Sequence, residues 1–311
     1  MSLGFRAMGC DCRVAVAVPE RLSAPAVAAL STGRGEVAAC EAVLSRFRPG
    51  SDLSRVNSAP GRWVTVDERL AGVVAAALRA RALTRGRFDP AVLAPIQAAG
   101  YDGDYDTLER RPARCAPGWR PGGAVQVDIA RSRVRVARDV GLDLGGIAKG
   151  WSAERAAERI LRALPGAEGV LVDLGGDLAL RGTAPGGADW RIDVVDPRRH
   201  SATVTTLTAG RAGIATSGRD RRVLGPEGEG HHLIDPVTGR AAERGPLAVT
   251  VIAADAVTAE SHATLLAMAG PLEARAHLRR HPEIGAVIVP ADGPVRIIRA
   301  GARANAREMA A

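Results

Sequence analysis

The string Asp-Leu-Gly-Gly occurs twice, at Asp143–Gly146 and Asp173–Gly176, with a helical stretch and a strand between the copies. This arrangement constrains the fold more than any other feature of the chain. Two adjacent glycines stop a regular element and let the backbone turn tightly or approach a neighbour. After the first copy, Ile147, Trp151, Ile160, Leu161 and Leu164 form an apolar stripe that predicts a helix from about Ile147 to Leu164. Val170–Leu174 then reads as a strand running into the second copy.

The rest of the chain interleaves the two element types without a regular strand–helix alternation. Cys10–Val18, Trp63–Val66, Trp190–Val195, Ala202–Thr208, Gly213–Thr216, Leu247–Ala253, Ala286–Val289 and Val295–Ile298 read as strands, and Val125–Ile129 with Val134–Val136 as a hairpin. Helices are expected over Pro25–Phe47, interrupted by Gly33 and Gly35, over Glu68–Thr84 after an Asp67 N-cap, over Val257–Ala269, and over Leu272–Arg280. Tyr101–Gly123 is polar and rich in Pro and Gly, a long loop, and the residues after Ile298 read as a frayed tail. This pattern argues α+β.

All but one of the 42 basic residues are Arg, the exception being Lys149 in the first turn of the helix that the first Asp-Leu-Gly-Gly opens. Codon pressure in a GC-rich genome accounts for the scarcity of Lys but not for its position. A formal charge of +8 could indicate nucleic acid, yet the arginines are dispersed and aromatics make only 3% of the chain, so stacking platforms are scarce. No nucleic-acid partner is expected, and a basic surface facing phosphorylated small molecules fits as well. No apolar run reaches the roughly 18 residues of a membrane helix. Cys10, Cys12, Cys40 and Cys115 have neither zinc spacing nor the density of a disulfide framework, so reduced thiols are expected.

Several short strings can carry chemistry. The glycine-opened helix start with Lys149 is an anion site in principle, but the Lys is followed by Gly150-Trp151, which excludes a Walker loop. Glu260 and Thr264 are four apart and share a helix face, as hard-oxygen donors for Mg²⁺ do. The same pair also fits a solvated Glu near a helix start and a Thr bonded to the preceding turn. His231-His232-Leu233-Ile234-Asp235-Pro236 puts an imidazole at a strand edge beside a turn, suited to proton transfer or to a plain structural role. Gly86–Pro90 sets an aromatic beside a carboxylate, and Ala215–Gly218 is a hydroxyl-bearing turn.

Taken in order, Ala7-Met8-Gly9, Leu44–Phe47, Ser51–Asn57, Gly86–Pro90, Asp143–Gly150, Asp173–Asp177, Ala215–Gly218, His232–Gly239 and Glu260–Gly270 resemble the ApbE family, the FAD:protein FMN transferases. The likeness is collinear from about residue 5 to residue 300. It implies a single ApbE-type (T-fold-like) domain over residues 1–311, with mixed sheets packed with helices and an active site in a cleft between two intimately packed parts. It implies Mg²⁺-dependent transfer of the FMN part of FAD to a Thr or Ser hydroxyl of an acceptor flavoprotein, with release of AMP. By position, Gly146 (through its carbonyl), Glu260 and Thr264 match the metal ligands; Met8, Phe47, Arg87, Phe88, Asp89, Asp143, Lys149, Ser217 and Ile234 match FAD contacts; His232 matches the base; and Asp235 orients its loop. The first metal ligand in the family is commonly Asp, whereas Glu260 is longer by one methylene. Family members usually carry an export leader and this chain begins almost at the first motif, so a cytoplasmic location is expected. The alternatives are an Mg²⁺-dependent FAD pyrophosphatase yielding FMN and AMP, and an FAD-binding protein without turnover.

Overall fold

The computed structural model describes residues 1–114, 116–228, 230–301 and 306–308, so Cys115 lies outside it. Its centre is an eight-stranded sheet in the spatial order Ser2–Ala7, Cys10–Ala17, Gly169–Leu174, Leu178–Gly182, Ala212–Gly218, Ala248–Ala253, Gly285–Val289 and Arg296–Ile298. Spatial order follows chain order and every neighbouring pair is antiparallel. The sheet is therefore a meander whose connections are either tight turns or long excursions. Met8-Gly9 and Gly175-Gly176-Asp177 are the tight turns nearest the site. The excursions after Ala17, Gly218 and Ala253 hold most of the helices and loops.

Among the described residues seven α-helices are formed: α1 (Ser23–Leu44), α2 (Asp52–Asn57), α3 (Glu68–Leu83), α4 (Leu93–Ala98), α5 (Ala148–Ala163), α6 (Ala256–Met268) and α7 (Pro271–Arg280). On one face of the sheet, Val14, Val16, Val172 and Leu174 meet Ala156 and Ile160 of α5 and Leu30 and Val37 of α1. Further along the same sheet, Val249 and Val251 pack with Ala263 and Leu266 of α6. The opposite face carries Leu178, Leu180, Ile214 and Ile252, covered by Trp190 and Leu207 from the Trp190–Asp196 and Arg199–Ala209 hairpin. A further core joins the end of α1, α2 and α3 to the strands Val64–Thr65, Val125–Asp128 and Arg133–Val136. Truncating a fully buried side chain such as Ile160 or Leu174 to Ala costs about 2–5 kcal/mol through lost burial and the void left behind.

The sequence reading placed interruptions at Gly33 and Gly35, but α1 is continuous. A Cβ on Gly33 would lie 2.5 Å from Ile160 Cδ1, so the glycine marks close approach of α1 to α5. Buried Glu36 on α1 binds Arg69 of α3 and Arg155 and Arg159 of α5. Burial alone would raise its pKa, but the hydrogen bonds from Arg69 and Arg155 win and hold it at about 2. The strands Ser2–Ala7 and Leu178–Gly182 and the helices α2 and α4 have no counterpart in the sequence reading. Within the tail expected to fray, Ala306–Glu308 forms a strand beside Arg199–Ala209; residues 302–305 and 309–311 lie outside the described residues. No helix among the described residues is long and apolar enough to cross a membrane.

Candidate active site

The excursions meet around a cleft of about 720 Å³ at the start of α5, within the size range of small-molecule sites. Of the thirteen residues matched to the metal, FAD or the base, Met8, Phe47, Phe88, Asp89, Asp143, Gly146, Lys149, Ser217, His232, Ile234, Glu260 and Thr264 line it. Arg87 does not. Its guanidinium is tied at 2.6 Å to Asp235 and at 2.6 Å to Glu273, so it anchors the loop that follows His232.

The floor is set by a close approach of α5 to α6. A Cβ on Gly150 would fall 2.5 Å from the Ala256 carbonyl oxygen and 2.9 Å from Glu260 Oε2, so only glycine fits there. That proximity lets the Gly150 N–H donate to Glu260 Oε2 at 2.7 Å. Lys149, the preceding residue, sends its ammonium between two buried carboxylates, pairing with Asp177 and lying 3.5 Å from Glu260 Oε1. Glu260 is 2% exposed and Asp177 1%. Burial raises the Glu260 pKa, against the pull of Lys149 and the Gly150 N–H. Asp177 closes the second Gly-Gly turn and was not among the site residues expected, although its string was. The signal available was a carboxylate directly after Gly175-Gly176, at the end of a strand.

Glu260 Oε1 is buried and has no hydrogen-bond partner. The Lys149 ammonium at 3.5 Å meets it as an ion pair and leaves lone pairs for a further cation. Thr264 Oγ1 stands one helical turn further along α6, and a Cβ on Gly146 would lie 3.0 Å from it. A carboxylate and a hydroxyl are thus gathered beside the Gly146 backbone, and both are oxygens of the hard type Mg²⁺ accepts. Among the described residues no three His, Cys, Asp or Glu side chains converge as a metal cluster. The residues present fit Mg²⁺.

One wall is aromatic and cationic. Arg46 lies 4.2 Å from the centroid of Phe47 and 4.6 Å from that of Tyr101, and the two rings are 5.5 Å apart. Arg46 is fixed by Asp143 at 2.6 Å and by the Tyr101 carbonyl at 2.8 Å. Arg222 faces the same tyrosine at 5.4 Å. Flat conjugated rings and phosphates both suit such a wall. Tyr101, Arg46 and Arg222 escaped the sequence reading because no spacing joins positions 46, 101 and 222. Asp143 and Asp89 line the cleft with their carboxylates already engaged, Asp143 by Arg46 and the Gly145 N–H, Asp89 by Arg81 and the Ala91 N–H.

The two adjacent histidines differ. His231 is buried, with Nε2 2.8 Å from the Ala242 carbonyl and Nδ1 accepting from the Leu233 N–H. His232 faces the cleft at the edge of Tyr101, centroids 6.5 Å apart. Its ring is held by the Arg222 backbone carbonyl and its Nδ1 has no partner. Burial, then the charge of Arg222, lowers its pKa to about 3. Burial thus favours the neutral imidazole, whose Nδ1 is buried without a hydrogen-bond partner.

The sequence profile of the ApbE family matches residues 8–288. The FAD:protein FMN transferase of Treponema pallidum (strain Nichols) is 29% identical over 93% of this chain and 84% of its own length. That of Vibrio cholerae (strain ATCC 39541) is 30% identical over 73% of this chain and 69% of its own. Among solved structures, the ApbE protein from Thermotoga maritima superposes with a TM-score of 0.83 at 31% identity, covering 96% of this chain and 97% of that one. The apo flavinyl transferase ApbE of Pseudomonas stutzeri shares the fold, with a TM-score of 0.76 at 24% identity over 96% and 95% of the two chains. A profile that spans the meander from its first tight turn to its seventh strand, and a relative that folds alike over nearly all of both chains, make this protein a member of the ApbE family.

Proposed function

We propose that the protein is an Mg²⁺-dependent FAD:protein FMN transferase that moves the FMN part of FAD to a Thr or Ser hydroxyl of an acceptor flavoprotein. The observation that carries the proposal is the buried Glu260 Oε1, ion-paired to Lys149 but held by no hydrogen bond, near Thr264 on the floor of a cleft whose wall stacks Arg46, Phe47 and Tyr101.

Glu260, Thr264 and the Gly146 carbonyl would hold Mg²⁺, which when bound supplies charge neutralisation on the FAD diphosphate. The Phe47–Tyr101–Arg46 wall takes a planar ring, and Arg222 and Lys149 face the phosphates. Lys149 needs both carboxylates to stay in place: Asp177 and Glu260 hold a compact ammonium where a forked guanidinium would be too wide. His232 Nδ1 receives the proton of the attacking hydroxyl. The new bond joins that oxygen to the FMN-side phosphorus, the phosphorus–oxygen bond to the AMP half breaks, and AMP leaves with the bridging oxygen. A base with a pKa of about 3 is weak for this task. The diphosphate charge, brought close to the imidazole, raises it towards a useful value.

Incubation with FAD and Mg²⁺, with and without a peptide carrying Asp-Gly-x-Thr-Gly-Ala-Thr, tests the proposal. FMN mass on the peptide Thr together with stoichiometric AMP is the expected result. AMP without peptide mass makes the protein a pyrophosphatase, and tight FAD with neither product makes it a binding protein.

A further inference from the structure

Cys10 and Cys12 sit two residues apart on the strand Cys10–Ala17 and therefore point to the same side of the sheet, the side covered by α1 and α5. Their sulfurs are 3.8 Å apart. Both sulfurs lie near a single oxygen, the Ala7 carbonyl, at 3.3 Å from Cys10 Sγ and 3.5 Å from Cys12 Sγ. The two sulfurs are thus gathered rather than merely adjacent in sequence. Cys10 is half-buried and lines the cleft, whereas Cys12 is buried behind it. A small reagent entering the cleft meets Cys10 first. The sulfur of Cys10 also rests on the turn leading to Asp177, since a Cβ on Gly175 would lie 2.9 Å from it.

The surroundings divide the labour between the two thiols. The hydrogen bond from Cys12 outweighs burial and, with the charges of Lys149 and Arg222, brings the Cys10 thiol down to about 7. Donating that hydrogen bond, together with burial, pushes Cys12 up. At neutral pH Cys10 has appreciable thiolate character and Cys12 keeps its proton. Cys40 lacks such surroundings: it is buried and its thiol is raised to about 11.

We propose that Cys10 and Cys12 form an oxidation site for hydroperoxides at the edge of the cleft, Cys10 attacking and Cys12 resolving, and that the resulting disulfide weakens FAD binding. In the first step the Cys10 sulfur attacks one oxygen of hydrogen peroxide. The oxygen–oxygen bond breaks, hydroxide leaves, and Cys10 becomes a sulfenic acid while the peroxide is reduced by two electrons. Oxidation of Cys10 removes the thiolate that held the Cys12 proton. In the second step the Cys12 sulfur displaces the sulfenic hydroxyl, which leaves with that proton as water, and the disulfide forms. Contraction from 3.8 Å to a bond of roughly 2 Å pulls Cys10 off the Ala7 carbonyl. Cys10 directly follows the Met8-Gly9 turn, whose φ values are already +53° and +68°. Met8 lines the cleft, so the turn carries the contraction into the site. The effect on FAD rests on the flavin reading of the cleft, whereas the oxidation itself does not.

Trypsin cleavage after Arg6 and Arg13 yields a peptide, Ala7–Arg13, that holds both thiols and no other cysteine. Full-length protein is treated with a few equivalents of hydrogen peroxide, blocked with iodoacetamide and digested. The expected peptide is two hydrogens lighter, carries no alkyl groups, and regains two alkylatable thiols after dithiothreitol. Cys12→Ser should leave Cys10 trapped by dimedone as a sulfenic acid, and Cys10→Ser should spare the peptide at the same dose. FAD affinity, read by flavin fluorescence, should fall at least tenfold on oxidation and return on reduction. Two alkylated cysteines after peroxide, or equal peroxide reactivity in Cys10→Ser, overturns the oxidation site. Unchanged FAD affinity of the disulfide form overturns the coupling. If the reduced protein also fails to bind FAD, the flavin reading fails while the peptide masses still decide the oxidation.

Discussion

Replacing Glu260 by Gln separates the metal from the fold. The side chains are nearly isosteric, and the Gln carbonyl can still accept the Gly150 N–H that Glu260 Oε2 accepts at 2.7 Å. What is lost is the charge and Oε1, the oxygen without a hydrogen bond that faces Lys149 at 3.5 Å. Burial raises the Glu260 pKa above 4.5. An acid raised in this way favours the folded state most below its unfolded pKa, and that contribution is lost as pH rises through the folded value. The metal-free wild type therefore carries a cost at neutral pH that Gln does not. After removal of metal with EDTA, the Gln variant should melt at or above wild type. Added Mg²⁺ at a hundredfold excess over its Kd stabilises the wild type by about 2.7 kcal/mol, or about 5 °C at roughly 2 °C per kcal/mol for a chain of this size. The Gln variant should shift by less than about 1 °C on the same arithmetic. Glu260→Ala is the contrasting control. It strands the buried Gly150 N–H, costs about 1–3 kcal/mol, and should melt below wild type even without metal. Differential scanning fluorimetry across an Mg²⁺ titration reads all three proteins. An equal Mg²⁺ shift in wild type and Gln removes Glu260 from the metal site, and equal metal-free melting of Gln and Ala refutes the argument from the Gly150 N–H.

Lys149→Arg places a planar fork between Asp177 and Glu260 and should lower FAD turnover at least about tenfold with the fold intact by circular dichroism; wild-type turnover would make the position indifferent to shape. His232→Gln should slow transfer by about 10²–10⁴ while FAD affinity stays within about threefold, and parallel losses in rate and affinity would assign the residue to binding instead. His231→Gln is expected to act through stability, because that ring spans the Ala242 carbonyl and the Leu233 N–H. Glu36→Ala leaves Arg69, Arg155 and Arg159 without their shared partner and, since these guanidiniums keep access to water and Arg69 and Arg155 keep Asp67 and Glu68, should cost about 1–3 kcal/mol in urea denaturation at pH 7. The Glu36 pKa is held at about 2, so this stabilisation is present above 4.5 and disappears as pH falls towards 2; a gap between wild type and variant that does not narrow over that range would refute the ionic account.

How much of this was legible in the sequence depends on the range of the interaction that fixes each part. The helix α5 was readable because its apolar stripe repeats within a few turns, and α6 because it is a run of Ala, Leu and Met buried almost all round; their observed limits, Ala148–Ala163 and Ala256–Met268, fall within a residue or so of the expected ones. The strand Ser2–Ala7 was not. It is an edge strand with mostly exposed alternate residues, and its identity is set by pairing with Cys10–Ala17 rather than by its own composition. Gly33 reads as a break because helix propensity is local, while the reason for glycine there is Ile160 on another helix. The site divides in the same way. Glu260 and Thr264 share a helix and could be paired by spacing, whereas the ion pair of Lys149 with Asp177 joins the start of α5 to the far end of a strand. Tyr101 opened a stretch read as plain loop, yet it is buried under Arg46 from a segment 55 residues earlier. Each of these contacts is fixed by which neighbours the meander brings together, and that order exists only once the excursions from Val18 to Glu168 and from Arg219 to Leu247 have folded back over its strands.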